Sequence, residues 1–139
     1  MLFDLFDTLV DLHFDPSNTT EVEGRRVHSF VARLHAALRR RAEVDLDSFI
    51  EAFSEVDRTE RKPRYEGGRE YPTLERFTSV VKLLGLDDPE LPEILTAAHM
   101  SGIYQGVVVL PHLGEVLGSL GQVAKIGLCA NFSHTETAL

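Results

Sequence analysis

The chain has 139 residues, enough for one domain or for a core carrying a small inserted subdomain. A hydrophobic content of 43% with 26% charged residues is that of a globular chain, and the net charge of -8 argues against nucleic acid as a partner, because a phosphate backbone needs a basic surface. The single cysteine, Cys129, excludes an intrachain disulfide framework and, lying in an apolar run, reads as a buried structural thiol of a reducing compartment. No apolar stretch approaches the ~20 residues of a membrane span and the N-terminus lacks the form of a signal peptide, so a cytoplasmic protein without membrane contact is expected.

The chain opens on a short apolar strand, Met1-Leu2-Phe3, that runs into Asp4. Asp7 and Thr8 stand in the turn behind it, before Leu9 and Val10. In parallel α/β proteins chemistry sits at the carboxyl ends of strands. A carboxylate held there among turn N–H groups can attack electrophilic phosphorus or carbon. Read without chemistry, Asp4 and Asp7 are turn residues that close a strand. Residues 11–18 form a turn-rich linker, where His13 lies between two acids with no second histidine at ligand spacing.

A helical period is read from about Thr20 to Arg41, with Val27, Phe30, Val31, Leu34 and Leu38 on one face. Glu21 and Glu23 fall in its first turns and Arg39, Arg40 and Arg41 in its last, as the helix macrodipole favours; His28 and His35 flank its packed stripe. A second helix opens at Asp45 or Asp47 and carries Phe49, Ile50, Phe53 and Val56 to about Arg61. Residues 62–72 are rich in breakers and hold Lys62, Arg64 and Arg69. They are either a solvated loop or a loop that offers cations to an anionic group.

A third helix follows Pro72, with Phe77, Val80 and Val81 inward and Gly85 as its stop. A fourth opens near Asp87 or Asp88 and ends near Gly102. Four amphipathic helices without an intervening strand make a small bundle. The period then changes: Gly106 to Leu110 is extended, a helix after Pro111 turns Leu113, Val116, Leu117 and Leu120 inward, and residues 123–130 read as a buried parallel strand. Ser133 and Glu136 have capping-box spacing in the turn that follows.

Residues 3–11, Phe-Asp-Leu-Phe-Asp-Thr-Leu-Val-Asp, resemble the first motif of the haloacid dehalogenase-like (HAD) hydrolases, an apolar residue followed by Asp-x-Asp-Gly-Thr-Leu. Residues 125–131, Lys-Ile-Gly-Leu-Cys-Ala-Asn, are similar to the second motif, an apolar strand ending in Ser or Thr and often followed by Asn. The resemblance implies a partial Rossmann-like parallel core of HAD type over residues 1–13 and 106–139, with an α-helical cap inserted over 14–105. It makes Asp4 the nucleophile and Thr8 the turn threonine, and it leaves Asn131 to supply an amide donor. Phe6 stands where phosphatase members carry the general acid, Asp7 where glycine is usual, and Ala130 where the second-motif hydroxyl is usual.

The implied activity is hydrolysis of a small anionic substrate, phosphorylated or halogenated, through an aspartyl intermediate, as in phosphatases or 2-haloacid dehalogenases. Phe6, Arg64 and Arg69 would contact that substrate, and magnesium, if bound, would use Asp4. The net charge of -8 would itself repel such a substrate unless a local basic patch refocuses the field. No Lys or Arg and no acidic pair follows the second motif. With so few core strands, the expectation is either a fragment of a longer gene product or a homodimer that pools strands. The alternative function is a non-catalytic dimeric scaffold on the same half-core.

Overall fold

The computed structural model describes residues 1–13, Asp15 and residues 17–129. It is a mixed α/β structure with one small parallel strand pair. The strands are β1 (Leu2–Phe3), β2 (Val10–Leu12), β3 (Thr19–Val22), β4 (Arg25–His28), β5 (Val107–Val109) and β6 (Gly127–Leu128). The helices are α1 (Ser29–Arg39), α2 (Leu46–Val56), α3 (Lys62–Glu66), α4 (Thr73–Leu83), α5 (Leu91–Gly106) and α6 (Leu113–Val123), with a π-helical turn at Asp57–Arg61 joining α2 to α3.

β1 and β6 pair in parallel, Leu2 opposite Gly127 and Phe3 opposite Leu128. β5 does not extend this pair. It runs antiparallel to β2, with Val10 opposite Val109 and Leu12 opposite Val107, and His13 N–H donates to Gly106 O at 2.8 Å just beyond. The chain therefore enters and leaves its helical part through one two-stranded neck.

The helix expected from Thr20 starts nine residues later, at Ser29. The preceding segment is a hairpin in which Glu23 and Gly24 have φ of 50° and 76° and Val22 faces Arg25. Two central residues at positive φ make the turn that matches the twist of paired strands, and glycine accepts that conformation without strain. Glu23 thus serves no first turn of its own. Its carboxylate accepts the Leu46 N–H at 2.8 Å and the Arg39 guanidinium at 3.0 Å, tying the hairpin to the start of α2 and the end of α1.

The helix starts follow local chemistry. His28 caps α1 by accepting the Phe30 N–H at Nδ1, and Asp45 caps α2 by accepting the Ser48 N–H at 2.8 Å. Gly85, at φ 69°, ends α4 as expected. Gly102 does not end α5, which continues to Gly106. A Cβ at Gly102 would come within 2.8 Å of the Phe30 ring, so the glycine permits close packing of α1 on α5.

The core is helical. Leu34 and Leu38 of α1, Phe49 and Val56 of α2, Phe77 and Val80 of α4, and Leu91 and Leu95 of α5 are all at most 2% exposed. Each such side chain stabilises the fold by about 1.5–3 kcal/mol relative to exposure. His35 is buried among them and its Nε2 lies 2.8 Å from Val44 O, so its polarity is satisfied.

Residues 62–66 form α3 and not a loop, because the π-helical turn carries α2 on without a break. Behind it Tyr71 is 6% exposed. Its hydroxyl donates to Glu60 Oε2 at 2.6 Å, and Ser79 Oγ donates to the same oxygen at 2.8 Å. Burial, then the hydrogen bond to Glu60, pushes the Tyr71 hydroxyl up to about 12 from 10.0. A group whose folded pKa is raised adds stability below its unfolded pKa and loses it as pH climbs through the folded value. Unfolding titrations should accordingly show wild-type stability falling between pH 10 and about 12, and Tyr71→Phe should lack that component.

The α/β end is less enclosed than its pattern suggested. β6 is parallel to β1 as expected but not buried: Ile126 is 40% and Leu128 50% exposed. In α6, Leu113, Leu117 and Leu120 are half-buried and Val116 is 52% exposed. Cys129 is exposed, contrary to the expectation of a buried thiol. A two-stranded pair offers too little surface to bury an apolar run from both faces. No described helix is long and apolar enough to cross a membrane.

Candidate functional site

Asp4 follows β1 directly, at the carboxyl end of the parallel pair, and is exposed. The pairing continues past it, since Cys129 N–H donates to Phe3 O at 2.8 Å. One carboxylate oxygen, Oδ1, accepts the Leu5 N–H at 2.7 Å. The contact holds the side chain against the following turn and leaves Oδ2 as the freer oxygen for attack.

That turn is closed by its backbone. Leu5 O accepts from both Leu9 N–H (2.9 Å) and Val10 N–H (3.0 Å), and Asp7 N–H donates to Val10 O at 2.9 Å. Asp7 has φ 56°, in the left-handed region. The position requires left-handed backbone, and Asp tolerates it better than most side chains. Asp7→Gly should raise unfolding free energy by up to about 1 kcal/mol and Asp7→Val should lower it by about 1–2 kcal/mol, as read by urea denaturation.

The other residues singled out in the sequence fall as follows. Phe6 is half-buried and bridges to Val10. Thr8 is exposed in the same turn as Asp4. Asn131 and Ala130 lie outside the described residues, as do Ser133 and Glu136. Arg64 is engaged elsewhere: it pairs with Glu75 at 2.5 Å and stacks over the Tyr71 ring at 4.5 Å. Its Glu75 partner raises its pKa further. Arg69 is exposed just beyond Gly68. Among the described residues no hydrogen bond or ion pair joins Arg64 or Arg69 to Asp4.

Asp4 and Asp7 share a turn, but among the described residues no group of three His, Cys, Asp or Glu side chains gathers as a metal site. Two carboxylates are fewer than an all-protein cage needs, whereas magnesium bound with substrate phosphate needs only one or two.

Two polar clusters escaped the sequence reading. One is Glu60-Tyr71-Ser79. Beside it Arg76 is half-buried, hydrogen-bonds Asp57 through Nε at 2.7 Å and lies 4.0 Å over the Phe53 ring. Burial lowers the Arg76 pKa, against the opposing pull of Asp57. The other is a cavity at the neck, where Arg33 and Gln105 meet His13 and His28. Arg33 lies off the apolar stripe in sequence, and nothing in its spacing marks it as shielded. A scan against protein-family models finds no match for this chain, and a search of curated proteins finds none either.

Proposed function

We propose that the chain carries a HAD-like hydrolytic site in which Asp4 attacks a small phosphorylated or halogenated molecule. The observation that supports this most is the position of Asp4: a carboxylate one residue past the end of a strand in a parallel pair, beside a tight turn of fixed backbone. In the halogenated case Oδ2 displaces halide from carbon, and water then opens the resulting ester. In the phosphorylated case Oδ2 takes the phosphoryl group from its leaving alcohol, and water releases phosphate. Thr8 and Asn131 would orient the anionic group, and Phe6 would form one wall beside it. Magnesium would be bound by Asp4 together with substrate oxygens and would screen the charge of a phosphorylated substrate. Residues 1–13 and 106–139 form the core in this reading, and 14–105 the cap, entered through the neck of β2 and β5. The test is turnover of an aryl phosphate and of a 2-haloacid, with and without magnesium, by wild type and Asp4→Asn. Equal rates for the two proteins would end the nucleophile assignment.

A second reading is favoured by exposed apolar side chains at the α/β end, where Leu2 is 72%, Val109 62% and Val123 82% exposed. It makes the chain a non-catalytic homodimer whose short strands pair across two copies. A folded monomer in sedimentation at micromolar concentration would count against it.

A further inference from the structure

The neck cavity has a volume of about 80 Å³ and lies between the end of β2, the β3–β4 hairpin, the start of α1 and the last turns of α5. That is room for several waters or one small polyatomic ion. Its polar groups are unevenly satisfied. His28 Nδ1 accepts the Phe30 N–H, so Nε2 carries the ring proton and donates to Asp15 O at 3.0 Å. Asp15 Oδ1 accepts both the N–H and the hydroxyl of Ser17, at 2.8 and 2.6 Å. Ser17 thus satisfies Oδ1 of Asp15, the carboxylate in the lining.

Arg33 is the exception. Its Nη2 donates to Gln105 Oε1 at 2.5 Å, but Nη1 is shielded from solvent and has no hydrogen-bond partner among the described residues. A guanidinium nitrogen kept from water without an acceptor is costly. With Oε1 facing Arg33, the Gln105 amide nitrogen remains as a second donor beside it. His13 stands at the rim, 3.6 Å from Asp11. Asp15, Asn18 and Ser29 also line the cavity, but among the described residues no acceptor reaches Arg33 Nη1.

We infer that the neck cavity binds a small oxyanion, a carboxylate or a phosphate group, through Arg33 Nη1 and the Gln105 amide. The inference rests on Arg33 and Gln105 and stands apart from the Asp4 reading. A charge-assisted contact of this kind fixes orientation as well as adding affinity. Because the neck joins the helical part to the α/β end, its occupancy would also draw the hairpin, α1 and α5 together.

The test titrates the whole chain with sodium acetate and with inorganic phosphate at constant ionic strength, following the Arg33 Nε–Hε resonance and thermal unfolding. Saturable binding of at least one anion is expected, with acetate alone marking a carboxylate ligand and phosphate marking a phosphoryl one. Arg33→Gln should weaken it about tenfold or more, as the loss of a charged hydrogen bond does. Gln105→Glu brings a carboxylate to the guanidinium from within the chain, so it should abolish binding and raise the unfolding temperature. Asp4→Asn should bind as wild type does. Absence of saturation with both anions, affinity unchanged in Arg33→Gln and Gln105→Glu, or loss of binding in Asp4→Asn would overturn the inference.

Discussion

Replacing Phe77 with alanine should cost about 3–5 kcal/mol of stability, the range for a large aromatic removed from a core that cannot close over the gap. Phe77 is 0% exposed, and its ring lies 5.9 Å from Phe53 and 5.7 Å from His99. It is the middle of a row that runs from Phe49 through Phe53 and Phe77 to His99 and Phe30. Helices α2 and α5 press on α4 from two sides and are themselves held by Asp45 capping and by the Arg41 pairs to Asp88 and Glu90. Collapse into the cavity is therefore limited. Against a typical total of about 5–15 kcal/mol the loss is large, and it should lower the urea midpoint without changing the slope. Val116→Ala on α6, at a 52% exposed position, should by contrast stay within about 0.5 kcal/mol. Comparable losses at both positions would mean that the α/β end is part of the same packed core.

The second large effect concerns activity. Asp4→Asn keeps the size of the side chain and an oxygen able to accept the Leu5 N–H, so fold and stability should change little. An amide oxygen is a far poorer nucleophile than a carboxylate, and turnover should fall to background, on the order of a thousandfold or more for the loss of an attacking group. Phe6→Asp addresses the same site from the other side, because it restores a carboxylic acid where phosphatase members carry one. A rise in aryl phosphate hydrolysis, with haloacid turnover unchanged or lower, is the outcome that fits the proposed role.

The helical part was legible in sequence wherever apolar spacing and caps agreed. Asp45, Pro72 and Gly85 bound α2 and α4 where their chemistry said they should. It was misread where one residue type serves two geometries. Val27, on the supposed helical stripe, is buried from a strand, since a single apolar position satisfies period 2 as well as period 3.6. Glu23-Gly24 carries the turn, and its signal is weak because glutamate is uncommon at positive φ. Gly102 was read as a stop, and its actual role, letting Phe30 approach, depends on a partner helix about 70 residues away in sequence.

At the candidate site, the placement of Asp4 at the end of a strand followed from the local pattern Leu2-Phe3-Asp4. The antiparallel neck did not, because pairing between residues so far apart leaves no trace in either segment alone. Arg64 illustrates the same limit from the other direction. Its loop looked open to an anion, but Glu75 and the Tyr71 ring occupy its guanidinium. Arg33, unremarkable in sequence, keeps a shielded nitrogen without a partner among the described residues.

The most direct measurement is a single-turnover reaction in heavy-oxygen water, quenched rapidly with acid and followed by peptide mass spectrometry across Asp4. With a 2-haloacid, water opening the ester at Cγ leaves one heavy oxygen on the Asp4 carboxylate; with an aryl phosphate, the quenched protein carries a phosphoryl group on Asp4 and the label enters released phosphate. Either pattern is the predicted result. Turnover that leaves neither label nor adduct on Asp4 would contradict the account.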